Sequence, residues 1–207
     1  VKKEEAKAMP IFLRLSTLFR QILFVWGMSA LGFAPTYEPV SVCEVLDHPK
    51  EFFNRSVMVA GILEGSKRHG WFLLDNAGET PCGSLARLGR DVSPLIRLEE
   101  VGEDSEIEGG PVEFQTDDES ARLMFESQRE AAAHPDLRAV MIVAGLLRVK
   151  GDFEVERLPN GGYIGSGYGP SGVAPAQLVV KTVLRTAMVP IGRADSQVVD
   201  WIRRAKL

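Results

Sequence analysis

Residues 138–150, RAVMIVAGLLRVK, and residues 56–63, SVMVAGIL, decide the fold. Val57, Val59 and Gly61 alternate along the second run, and both runs are rich in β-branched residues. That pattern is a strand signal. Each carries a glycine in its interior, within Met58-Val59-Ala60-Gly61 and Ile142-Val143-Ala144-Gly145. An interior glycine marks a bulge or a tight bend. Long strands that bend suit a small barrel, whose strands must curl to close.

Working outward, Ser41 and Glu44 have capping-box spacing, so a short helix starts after Ser41 and ends near Leu46 or Asp47, before Pro49. Trp71 to Leu74 reads as a strand that forms an antiparallel hairpin with 56–63 across a polar connection, Glu64 to Gly70. Further short strands are expected at Cys82 to Leu88, Pro94 to Leu98 and Pro111 to Gln115. Asp117 to His134 is the best helix: Thr116 or Asp117 caps it, acids fill its first turn and Pro135 stops it. Leu123, Met124, Ser127 and Ala131 give it an apolar stripe. Asp152 to Leu158 is expected to hairpin back, Pro159 to Pro175 to be loop, and Gln177 to Arg185 to be the last strand. Asp195 to Ala205 patterns as a C-terminal helix with Val198, Val199 and Ile202 inward.

Five or so antiparallel strands with a helix between the third and fourth give the chain order of an OB-fold, a partly open Greek-key β-barrel. The expected class is therefore mainly β and OB-fold-like, with one helix between strands and short terminal helices. Ser41 to Leu46, followed by Phe53 to Gly61, resembles the opening of small exported bacterial OB-fold-like proteins of uncharacterised function. A second cysteine after the hairpin and a glycine-rich loop before the last strand fit the same pattern. The resemblance spans roughly residues 40–185 and implies a fold and a disulfide, with no catalytic residue. The acidic stretch near 99–110 departs from it.

Met9 to Ala34 reads as an export signal: Arg14 and Arg20 lead into a charge-free apolar run, Ile22 to Ala34. Met9 is the expected initiator. Cleavage after Ser29, Ala30 or Ala34 and an uncleaved anchor are open alternatives, and that anchor would be the sole membrane contact. The expected organisation is a signal at 1–34, a linker at 35–40, an OB-like domain at 41–190 and a helical tail at 191–207. Of 24 basic and 28 acidic residues, five basic (Lys2, Lys3, Lys7, Arg14, Arg20) and two acidic (Glu4, Glu5) precede Pro35. That leaves 19 against 26, a net −7, in the exported part. Phosphate backbones are bound through Lys and Arg, so nucleic acid is a disfavoured partner. Cys43 and Cys82 are an even pair in an oxidising compartment, which points to a disulfide.

Motifs with chemistry are few. Gly167-Tyr168-Gly169-Pro170-Ser171-Gly172 spells G-x-G-x-x-G, but a strand follows where a dinucleotide site needs a helix. Cys43, His48, His69 and Cys82 combine sulfur and imidazole ligands at spacings of no compact zinc knuckle, so no metal is expected. The acids at 99–108 lack calcium-loop spacing. Asn54-Arg55-Ser56 is a glycosylation sequon of consequence in a eukaryotic secretory pathway alone. Lys67, Arg68 and His69 beside Trp71 are the best candidates for an anionic or stacking ligand. The expectation is an exported, non-enzymatic binding or envelope-associated structural module, with no cofactor and its partner unknown. The alternatives are a hydrolase or nuclease on an OB-like barrel, or a nucleic-acid-binding OB module.

Overall fold

A computed structural model describes residues 38–66, 70–75, 82, 94–103 and 106–191. In chain order the elements are β1 (Val40–Ser41), α1 (Val42–Asp47), α2 (Pro49–Phe52), β2 (Ser56–Ser66), β3 (Gly70–Leu74) and β4 (Leu95–Glu99). They continue with α3 (Asp118–Ala133), β5 (Leu137–Val149), β6 (Val155–Arg157), β7 (Tyr163–Gly165) and β8 (Ala176–Pro190). The expected signal at 1–34, the segment 83–88 and the C-terminal helix at 195–205 lie outside the described residues.

The fold is mixed α/β: a six-stranded mixed sheet in the order β1-β2-β3-β4-β8-β5, with one long helix between β4 and β5. An additional β2–β5 pairing leaves β1 outside and closes β2, β3, β4, β8 and β5 into a ring of hydrogen bonds. This corrects the expectation of an antiparallel set. Up-and-down alternation around a ring of five must fail at one seam, and it fails at β4–β8, which pair in parallel. The short β1 also runs parallel to β2, so Val40, placed in the linker by sequence, already pairs with Val59.

The two interior glycines do different work. The β2–β5 register runs unbroken from Ser56 to Ile62, so Gly61 marks no bulge. It faces Val42 and the end of β3, and a Cβ there would lie 2.7 Å from the Leu74 carbonyl oxygen. Gly145 sits opposite a true irregularity. The β5–β8 register shifts between Ile142 and Val143 and again between Ala144 and Gly145, passing over Leu184 and Lys181 of β8. A Cβ on Gly145 would lie 2.1 Å from the Val179 carbonyl oxygen. The extra residues therefore belong to β8, and β5 supplies the space for its backbone to approach.

Alternate residues of the ring strands enclose the main core, which includes Val59, Leu73, Ile96, Met141, Val143 and Leu178. Helix α1 adds Val42, Val45 and Leu46 to it, and α3 adds Met124. Ser41 caps α1, its hydroxyl accepting the Glu44 N–H at 3.1 Å. Asp117 caps α3, accepting the Ser120 N–H at 2.8 Å. Ser120 in turn accepts the N–H of Val183 at 2.6 Å, which ties the start of the helix to β8.

Three local expectations are corrected. Residues 111–115 form no strand; Arg148 holds the carbonyls of Glu108, Gly110 and Pro111, so a side chain satisfies backbone that a neighbouring strand would otherwise pair. The segment after β5 does not fold back on β5, because β8 already occupies that edge. Its β6 pairs instead with β7. That pairing also puts a strand inside the glycine-rich stretch read as loop throughout.

Candidate functional site

The alternation that sends Ile96 and Leu98 into the core turns Arg97 and Glu99 to the outer face of β4. Register then sets a row across four strands: Phe72 opposite Arg97, Arg97 opposite Gln177, and Gln177 opposite Arg148. Two loops close over this row. The connection from β4 to α3 delivers the Glu108 and Gly110 carbonyls to the Arg148 guanidinium at 2.6 and 2.7 Å. The connection from β5 to β8 delivers Tyr168, buried, and Gly169, which packs against the Arg97 side chain.

The electrostatics are those of a covered polar layer. Arg97 pairs with Glu99 at 2.7 Å, both about four-fifths buried. Burial pushes the Glu99 carboxyl above its usual range, and Arg97 opposes that shift. Lys150 bonds Glu108 at 3.2 Å and lies 4.7 Å from the centre of the Tyr168 ring. Burial also raises the Tyr168 hydroxyl, and the nearby Glu108 charge adds to it. Gln177 is 0 % exposed; its amide acts as a weak hydrogen-bond donor that lowers the Glu99 carboxyl, and its Oε1 has no partner. The Nε of Arg97, its neighbour across the strands, is likewise buried without a partner. Buried polar atoms are nearly always bonded, so this row holds an unused donor on Arg97 and an unused acceptor on Gln177. Such groups can bind and orient a polar ligand.

The residues singled out in the sequence are dispersed. Lys67, Arg68 and His69 lie outside the described residues. Trp71 is 7 % exposed and faces the main core, its indole N–H donating to Glu100 Oε1 at 2.9 Å. Glu99 and Glu108 of the acidic stretch are each committed to a cation.

Cys43 and Cys82 are joined in a disulfide, with Cα atoms 5.1 Å apart. Asp75 lies beside it and accepts the Cys43 N–H at 2.8 Å. These three side chains come within 4.8 Å of one another, but the bridge leaves no thiolate to bind a metal. His48 is remote in role, exposed and 3.9 Å from Glu51. The glycine motif is a backbone turn. Gly167 donates to the Gly172 carbonyl at 2.7 Å, and Tyr168 donates to Ala174 at 2.7 Å. Gly172, at φ +61°, leaves no room for a Cβ beside the Gly165 carbonyl.

Arg97, Gln177 and Arg148 carry a signal that sequence reading passed over. Each is a polar residue at an alternate position of an apolar strand, in LIRLE, AQLVV and LLRVK. Their convergence depends on a register between segments some eighty residues apart, Ile96 with Ala176. No family model, curated protein or solved structure matches this chain.

Proposed function

We propose that this chain is an exported, OB-like β-barrel module that binds a small polar ligand on the outer face of β3, β4 and β8. The observation that carries the reading is the position of the Arg97–Gln177 row within the strand order. Taking the ring strands as β2, β3, β4, β5 and β8 reproduces the five strands of the OB-fold, with α3 between the third and fourth. That architecture binds ligands on its second and third strands, between the first hairpin connection and the loop joining the last two strands. Here those parts are β3, β4, residues 66–70 and residues 150–175. The disulfide supports an oxidising compartment. The net −7 argues against phosphate-backbone partners.

Two measurements test this reading. Fusion of residues 9–40 to a periplasm-dependent reporter should give activity, and a silent cytoplasmic fusion would remove the compartment. Mass spectrometry of small molecules released from the exported protein should find one that is lost in Arg97→Ala and Gln177→Leu. Salt-sensitive, micromolar binding of a single-stranded oligonucleotide, abolished in Lys67→Ala/Arg68→Ala, would instead favour the nucleic-acid reading.

A further inference from the structure

The junction of β2 and β5 is not closed along its whole length. Their register ends at Ile62 opposite Val140, although β2 runs on to Ser66 and β5 begins at Leu137. Past Ile62, β2 stays with β3 as far as Ser66 opposite Gly70. The start of β5 stays instead with β8, Leu137 opposite Pro190. The two strands therefore part at one rim of the ring. A cavity of about 300 Å³ lies in the gap, lined by residues 63–65, residues 137–139, Ile191 and the end of α3.

Its polar groups are of both signs. The Arg138 Nη1 donates to Glu64 Oε1 at 2.8 Å across the gap. The Arg138 Nε is buried without a partner, and so is the Oε1 of Gln128, which lines the same cavity from α3. Buried polar atoms are nearly always bonded, so one donor and one acceptor are unused here. Both side chains are flexible at the tip, so each can turn its unpartnered atom into the cavity. The last turn of α3 carries no basic residue, which leaves the negative end of that helix uncompensated beside the cavity. Leu63, Ala131, Ala132, Pro135 and Leu137 supply apolar wall.

We propose that this cavity binds a free α-amino acid with a small apolar side chain. The carboxylate lies along the Nε edge of the Arg138 guanidinium, whose planar fork matches it. The ammonium donates to Gln128 Oε1 and to the second oxygen of Glu64, close to the end of α3. A simple anion would leave Gln128 unmatched, and a simple cation would leave Arg138 unmatched. A neutral amide would satisfy both atoms but would use neither the Glu64 charge nor the helix end. The volume sits at the lower end for ligand pockets, ~300–1,000 Å³, which suits a single amino acid. The site is separate from the outer face of β3, β4 and β8 and uses none of its residues.

Titration calorimetry of the full chain with L-leucine should show saturable binding. Isocaproate and isoamylamine, which each lack one pole, should bind at least about tenfold more weakly. Gln128→Leu removes the acceptor at similar length and should weaken leucine about tenfold. Ala132→Trp, at an exposed position of α3, should fill the cavity and abolish binding. Both variants should keep the thermal midpoint of the ligand-free chain, which separates lost binding from lost fold. No saturation by leucine in the millimolar range would overturn the proposal. So would equal affinity for the neutral amide isocaproamide, which would show that the two charges are not read. Binding kept in Ala132→Trp and lost in Arg97→Ala would place leucine on the β3–β4–β8 face and overturn it as well.

Discussion

At the scale of single residues, Gly145 and Asp75 show how little room the fold leaves. A methyl group on Gly145 would meet the Val179 carbonyl at 2.1 Å, backbone against backbone, with no flexible side chain to yield. Gly145→Ala should therefore destabilise by about 1–3 kcal/mol, the range for overpacked sites, measured by urea denaturation. Asp75 has its carboxyl raised by burial, against the lowering effect of the Cys43 N–H. The folded chain thus holds this proton more tightly than the unfolded chain. Its ionisation costs stability as pH rises from about 3.9, the unfolded value, through the higher folded one, and the cost is fully present above that. Asp75→Asn should flatten this part of the stability–pH curve while keeping an acceptor for Cys43. Asp75→Ala should flatten it too, and lower stability throughout by leaving that N–H unpaired. Gly61 and Gly145 were visible in the sequence as special positions. Which of them faced a bulge was not, because the extra residues are Lys181 and Leu184 on the partner strand.

At the scale of elements, local chemistry was readable wherever it was self-contained. Ser41 and Asp117 cap the helices their spacing predicts, and Pro135 follows the end of α3. Asp117 is held below the usual carboxylate range; burial opposes this, but the hydrogen bonds from Ser120 prevail. Its stabilising effect is fully present above the unfolded value and fades as pH falls through the folded one. Asp117→Ala should cost about 1 kcal/mol near neutrality, and the difference from the unaltered chain should shrink in acid. Elements that depend on a distant partner were misread. Residues 111–115 have strand-like composition, yet Arg148 takes the Pro111 carbonyl and that of Gly110 just before it. β6 and β7 are short and pair with each other within a glycine-rich stretch. The candidate site belongs to this second kind: its polar residues were plain in the sequence, and their meeting required the β4–β8 register. The disulfide lies between the two kinds, since two cysteines admit one pairing. Cys43→Ser should lower stability by roughly 2–4 kcal/mol in equilibrium denaturation, because the bridge closes a long loop.

At the scale of the whole molecule, five strands in a ring require a parallel seam, and the seam joins Ile96 to Ala176. Contacts that distant in sequence slow folding. Refolding should lie in the millisecond-to-second range, with Trp71 emission tracking ring closure and the β2–β3 hairpin forming earlier. Equal rates by fluorescence and by pulse-labelled exchange of hairpin amides would contradict this order. The seam also bears on how the chain is made. β8 is the last strand of the ring in chain order, so a polypeptide still emerging from a ribosome has no means of locking itself shut before that strand is out. Until β8 arrives, β4 and β5 present open edges. The strand that seals the structure is thus also a timer, which holds back the finished shape until its own synthesis is done.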